Sequence, residues 1–195
     1  MAQQATDERL LEEAANGNTA AFQILYERYR GPIFRFAYRL LGSAEAAEDV
    51  AHDCFLGLIK EPGRFDSTRA SLRTYLYAAA RNQAAKRYQS FGRETALEEL
   101  VDEPQSADRQ GPMALVLQNE LAGEVEQAIA SLPALQREAL VLFEYEDLSL
   151  AEIAAIVGAD SGTVKSRLFR AREKLRVRLD RYFRISPETA TVRRA

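Results

Sequence analysis

His52 and Cys54 are the one histidine and the one cysteine of the chain. They leave too few groups for a disulfide, a Cys/His zinc site or a histidine-based catalytic triad. No catalytic residue, metal or cofactor is therefore expected, and the expectation is a protein that is not an enzyme. The chemistry the sequence does supply is non-covalent. In the last third, Ser166, Phe169, Arg170 and Glu173 fall on one side of a helical repeat, flanked by Lys165 and Thr163. A ring exposed between cations and hydroxyls suits a DNA major groove, where Phe169 can meet a thymine methyl and Lys165 or Arg170 can bond guanine O6 and N7. Arg167, Arg172 and Lys174 are spaced to reach phosphates and would add salt-dependent affinity.

The elements that position these residues can be read from the segment LSLAEIAAIVGADSGTVKSRLFRAREKLRVR, Leu148 to Arg178. Ser149 and Glu152 have the spacing of a capping box. Ile153, Ala154, Ile156 and Val157 form an apolar stripe, and Gly158 supplies a left-handed stop. A second helix begins near Ser161, and at about 100° per residue Val164, Leu168, Ala171, Leu175 and Leu179 share its core face. Two capped helices joined by a tight turn read as a helix-turn-helix. A solvated amphipathic helix that uses Arg as a helix former is the plainer alternative, and it leaves the one-sided charge unexplained.

Upstream, apolar residues recur at three and four, and no stretch alternates as a strand would, so the fold class expected is all-α. Asn18 caps a helix from Thr19, Gly31-Pro32 interrupts or restarts it, and Gly42 ends the next. Ser43 caps a helix to about Lys60, Pro62-Gly63 turns the chain, and Ser71 caps a helix from Leu72 to about Tyr88. Periodicity fades from Phe91 to Gln118 among acids, prolines and glycine, which predicts a mobile linker or simply a solvated acidic loop. Further helices are expected over Leu121–Ala130, Pro133–Tyr145, Leu150–Val157 and Ser161 to about Phe183. The organisation expected is two small helical domains, 7–90 and 121–184, with a flexible acidic linker at 91–120 and a tail at 185–195.

Formal net charge is only -3, but it is segregated. Residues 64–93 carry seven bases against one acid, residues 94–120 seven acids against one base, and residues 161–184 nine bases against two acids. Two basic modules thus flank an acidic connector. No apolar run approaches the ~20 residues that cross a bilayer, and the polar, acidic start is unlike a secretory signal, so a cytoplasmic location is expected.

Within the helix 43–60, Ala47, Val50, Ala51, Cys54 and Leu58 make the apolar stripe, which leaves Cys54 a small buried hydrophobe. Glu45, Glu48, Asp49, His52 and Asp53 lie across from it, with Leu56 and Ile59 embedded among them. Acids ringing exposed aliphatics suit docking on a basic protein partner, and a merely solvated face fits equally. On the helix 72–88, Arg73, Tyr77, Arg81 and Tyr88 share a face that offers cations to phosphate and rings to an unstacked base. Tyr75 can be read as core instead.

In order and spacing, LLEEAANGNTAAF (10–22), AEDVAHDCF (47–55), ARN (80–82), SLPALQRE (131–138) and GTVKSRLFRAREKLR (162–176) resemble the bacterial sigma factors of the extracytoplasmic-function group. These have only sigma2 and sigma4 domains. The likeness covers about residues 7–88 and 121–179. It implies a promoter-recognition subunit that binds core RNA polymerase through the β′ clamp helices and the β flap. It further implies docking at Glu48, Asp49, His52, Asp53 and Leu56, with His52 where Gln is usual and Asp53 where Glu is usual. Contacts to the -10 element fall to Arg73, Tyr77, Arg81, Asn82, Lys86 and Arg87, with the loop 61–71 helping to capture a flipped base. Contacts to the -35 element fall to Thr163, Lys165, Ser166, Arg167, Phe169, Arg170 and Lys174. Tyr75 and Ile59 stand where Trp is common in the group. Such factors often have an anti-sigma factor as a further partner. The rival readings are a helix-turn-helix regulator acting without polymerase, a recombinase-like enzyme lacking any visible nucleophile, and a helical adaptor that the Phe169 face argues against.

Overall fold

The computed structural model describes residues 6–94 and 113–185, with side chains over 6–87 and 122–180. The secondary structure found there is helical, in the order α1 (Asp7–Ala15), α2 (Thr19–Leu41), α3 (Ala44–Lys60), a 3-10 turn (Pro62–Arg64), α4 (Leu72–Glu94), α5 (Met113–Ala130), α6 (Ala134–Glu144), α7 (Leu150–Val157) and α8 (Ser161–Ile185). The all-α reading holds.

Most helix starts follow from side chains that satisfy the first free backbone N–H groups. Asn18 Oδ1 accepts from the amides of Ala20 and Ala21 at 3.1 and 3.2 Å, Ser43 Oγ from Ala46 at 3.2 Å, and Ser71 Oγ from Thr74 at 3.1 Å. Three expectations are corrected. Pro32 does not interrupt α2, which runs unbroken from Thr19 to Leu41. A mid-helix proline forfeits one hydrogen bond, but Leu25, Tyr29, Ile33, Phe36 and Ala37 bury one face on both sides of it, and that packing holds the helix together. Helix α4 extends to Glu94, and α5 begins at Met113. The helical termini therefore take up both ends of the span expected as linker. Residues 95–112, on which the flexible-linker expectation falls, and the tail 186–195 lie outside the described residues.

Helices α1–α4 form one half, with α2 packed on α1, α3 and α4. In the other half α6, α7 and α5 pack on α8. The halves meet. Helix α4 lies against α7, and α2 against α5 and α6, so a single hydrophobic cluster reaches from Leu10 to Ala171.

Candidate nucleic-acid interface

The site on α8 is built by the two caps of the helix pair. At α7, Glu152 N donates to Ser149 Oγ at 3.3 Å, while Glu152 Oε2 accepts from the Ser149 amide at 2.8 Å and its hydroxyl at 2.6 Å. These bonds hold the Glu152 carboxyl below its usual range. Gly158, at φ 64°, takes the left-handed position that turns the chain. Asp160 then opens α8, its two oxygens accepting from Thr163 N at 2.8 Å and Thr163 Oγ1 at 2.7 Å. Gly162 leaves room for that carboxylate, since a Cβ there would sit 2.9 Å from Asp160 Oδ1.

Val164, Leu168 and Ala171 are buried, as their periodicity requires. Lys165, Ser166, Phe169, Arg170 and Lys174 are exposed, Phe169 at 67%, and the three cations have no ion pair among the described residues. Two other expected contacts are differently placed. The Thr163 hydroxyl is engaged by Asp160. Arg167 turns inward: its Nη1 is buried without a hydrogen-bond partner, and its charge acts on buried Glu138 of α6. Arg172, expected at phosphates, donates to Glu144 Oε1 at 2.6 Å and stacks over Phe143.

The face of α4 expected to hold the melted strand is covered. Arg73 donates from Nη2 to the carbonyl of Glu146, the Tyr77 hydroxyl donates to Glu146 Oε2, and Arg81 Nε donates to Glu138 Oε1. Tyr77 is 1% exposed, its ring edge-on to Phe36 at 5.3 Å. This differs from the open face expected of Tyr77, Arg73 and Arg81. The physical reason is that a ring with a polar tip and two guanidiniums matches carboxylates as well as phosphates. Arg39 of α2 completes the enclosure, 4.0 Å from Glu146 Oε1 and 4.0 Å over the Tyr145 ring. Burial raises the Tyr77 hydroxyl and, outweighing the neighbouring bases, raises the carboxyls of Glu138 and Glu146. Of the remaining α4 residues, Asn82 and Lys86 are exposed, whereas Arg87 reaches back to α3, 2.8 Å from Asp53 and 3.8 Å from Asp49. The Tyr88 side chain lies outside those described. Tyr75 packs edge-on against Phe65.

On α3 the apolar stripe Ala47, Val50, Ala51, Cys54 and Leu58 is buried, and burial pushes the Cys54 thiol up to about 12. Such a thiol is inert at neutral pH. Glu48, Asp49 and His52 are exposed, Asp53 and Leu56 are half-buried, and Ile59 is exposed. Glu48 receives both its contacts from Arg30 Nη2 at 3.1 Å.

Comparison with known proteins decides what these surfaces belong to. The Sigma-70 region 2 family matches residues 25–102, and the Sigma-70, region 4 family matches residues 122–175. The chain is 32% identical to the RNA polymerase sigma-H factor of Pseudomonas aeruginosa over 90% of its own length and 94% of the relative's. It is 34% identical to the ECF RNA polymerase sigma-E factor of Escherichia coli, covering 90% of this chain and 95% of that one. The chain is a sigma factor of the extracytoplasmic-function group.

Among solved structures, the sigma factor RpoE in complex with the anti-sigma factor NepR from Bartonella quintana is similar at a TM-score of 0.67 and 28% identity, covering 82% of this chain and 96% of that one. CnrH in complex with the cytosolic domain of CnrY gives 0.65 and 27%, covering 89% and 97%. A sigma factor is the promoter-recognition subunit of bacterial RNA polymerase and binds core enzyme and promoter DNA. In this one, the region 2 match contains α3 and α4, and the region 4 match contains α7 and most of α8. Among the described residues no helix is long and apolar enough to cross a membrane.

Sequence reasoning missed four residues of this sigma factor that meet across the two halves: Arg39, Arg137, Glu138 and Glu146. Arg137 donates to the Leu40 carbonyl at 2.9 Å. The signal available was Glu138 and Glu146 bracketing the apolar run Ala139–Leu142, an awkward place for carboxylates unless bases face them.

Proposed function

We propose that this sigma factor reads the -35 element with α8, captures the opening -10 strand with α4, and grips core polymerase with α3. In this reading the modules are 7–90 and 121–184, tethered through the acidic segment. The observation that carries it is the outward face of α8. Phe169 stands 67% exposed among Lys165, Ser166 and Arg170 on the second helix of a doubly capped pair. An exposed ring between cations that have no ion pair among the described residues gains little from folding, whereas in a major groove ring and cations meet the thymine methyl and the guanine edge.

Docking falls to Glu48, Asp49, His52, Asp53 and Leu56, an acidic rim around partly exposed aliphatics. Strand capture falls to exposed Asn82 and Lys86, with Arg73, Arg81 and Arg87, each now held by an acceptor of the chain itself, while Tyr77 supports the helix from the core. Extruding a base costs a few kcal/mol, and stacking returns ~1–3 per base, so melting is driven by capture and no bond is made or broken. The protein acts in the cytoplasm as an initiation factor and not as an enzyme, and an anti-sigma factor would compete for the same surfaces.

The test is run-off transcription with core polymerase on a promoter library, comparing the parent chain with Phe169→Ala and Arg170→Ala. Transcripts that depend on the added chain and weaken in both variants are expected. Tight promoter binding by the chain alone, with no dependence on core enzyme, would favour a regulator that works without polymerase.

A further inference from the structure

Arg167 belongs by type to the cations that hold DNA phosphates, yet it lies on the wrong side of α8 for that task. At about 100° per residue it stands about 160° round the helix from Phe169, beside the buried stripe of Val164, Leu168 and Ala171. Its side chain is half-buried, and Nη1 is enclosed without a hydrogen-bond partner. On the facing helix α6, Glu138 is 6% exposed. Arg81 of α4 donates to its Oε1, while Oε2 is buried and has no hydrogen-bond partner. Burial raises the Glu138 carboxyl, and the charges of Arg81 and Arg167 act against that rise. An enclosed donor on a cation and an enclosed acceptor on a carboxylate each cost free energy while unmet. Here the two are near enough for their charges to act on one another, and a small side-chain rotation or one bridging water joins them.

The other contacts between α6 and α8 are poor at fixing a rotation. Apolar burial is non-directional, so the stripe holds α8 against α6 without setting its turn about its own axis. A guanidinium and a carboxylate have a defined mutual geometry. Arg172 supplies a second tie of that kind, donating to Glu144 Oε1 at 2.6 Å and lying over Phe143. Its two side chains are 52% and 43% exposed, and an ion pair so open to water holds weakly. The enclosed pair is the stronger constraint, and recognition groups need to be held within about 10–20° of their working geometry.

We infer that Arg167 is a positioning residue for -35 recognition: through Glu138 of α6 it sets the rotation of α8 about its axis, and so aims Lys165, Ser166, Phe169 and Arg170 at the bases, without itself touching DNA. This rests on the assignment of α8 to the -35 element proposed above. It removes Arg167 from the phosphate contacts that its charge alone would suggest.

The test uses the full-length chain with core polymerase and a promoter fragment recovered from the run-off library. Binding is titrated over a range of salt and against single base changes in the -35 element. The variants are Arg167→Met, which keeps a long apolar stem and removes the charge, Glu138→Gln, and the two combined, each measured below its thermal midpoint. Arg167→Met is expected to leave the slope of log K against log salt equal to the parent's. It is also expected to lower the preference for the original -35 sequence over its altered versions about tenfold, equivalent to ~1.4 kcal/mol. Glu138→Gln should do the same, and the combined variant no more than either alone, the mark of two groups that act as one. A slope shallower by about one would overturn the inference, because it would make Arg167 a phosphate contact. A -35 preference equal to the parent's would overturn it too, as would losses that add in the combined variant. Should Glu138→Gln fail to fold, Arg167→Met alone decides through its slope and its preference. The underlying reading fails separately: Phe169→Ala and Arg170→Ala would then leave the -35 preference of the parent chain unchanged.

Discussion

Helices α4 and α8 each carry cations and an aromatic residue on one face, and the structure treats them oppositely. On α8 the ring of Phe169 is open and the cations beside it have no ion pair among the described residues. On α4 the ring of Tyr77 is sealed, with Arg73 and Arg81 held by carboxylates of the other half. The contrast teaches that residue type and helical spacing define what a face can bind, and that long-range packing decides whether the face is available. A phenol can satisfy its hydroxyl inside a seam, whereas the Phe169 ring is left 67% exposed among the described residues.

The sharpest way to break the comparison is to remove one buried and one exposed ring. Phe36→Ala deletes the ring against which Tyr77 packs and should destabilise the protein by about 3–5 kcal/mol in denaturant titration. Phe169→Ala should leave stability within about 0.5 kcal/mol while lowering run-off transcription. A comparable loss of stability in both variants would erase the distinction. Next in size, Arg170→Ala should weaken promoter binding by the polymerase complex by about 1–3 kcal/mol, concentrated at particular base pairs of the -35 element. A uniform loss across all sequences would reduce Arg170 to a phosphate contact.

Ser149→Ala should lower stability by about 1 kcal/mol through loss of the α7 cap, seen as a lower thermal midpoint. Arg87→Ala, which removes a partly exposed pair with Asp53, should change stability by less than about 1 kcal/mol. The smallest effect is one of pH. Hydrogen bonds from Ser149 hold the Glu152 carboxyl low, and those from Thr163 do the same for Asp160. A folded-state pKa below the unfolded value gives stability that is complete above the ordinary carboxylate range and fades as pH falls through the lowered values. The thermal midpoint should therefore fall on acidification below about pH 4, and less steeply in Asp160→Asn.

The helix-turn-helix was legible because its information is local. Ser149 with Glu152, Gly158, and the stripe Val164, Leu168, Ala171 all act within a few residues of themselves, and each is found where its chemistry places it. Pro32 misled because a local penalty was weighed without the buried faces of Tyr29, Ile33 and Phe36 on either side. The positions of Arg73, Tyr77 and Arg81 were not legible, because their partners lie some sixty to seventy residues away: Arg73 and Tyr77 meet Glu146 across separations of 73 and 69, and Arg81 meets Glu138 across 57. Charge segregation foretold a basic face, but an acidic residue inside an apolar helix was the only mark of what would cover it.

The carboxylate of Asp160 sits on the first turn of α8, where a helix presents its unshared amides and would otherwise attract a phosphate. If α8 reads DNA as proposed, it does so with its own anion, Asp160, seated at its positive pole. A carboxylate there competes with a phosphate for the end of the helix, which shifts the expected grip toward side chains further along. A salt titration of duplex binding is then expected to report chiefly on lysines and arginines.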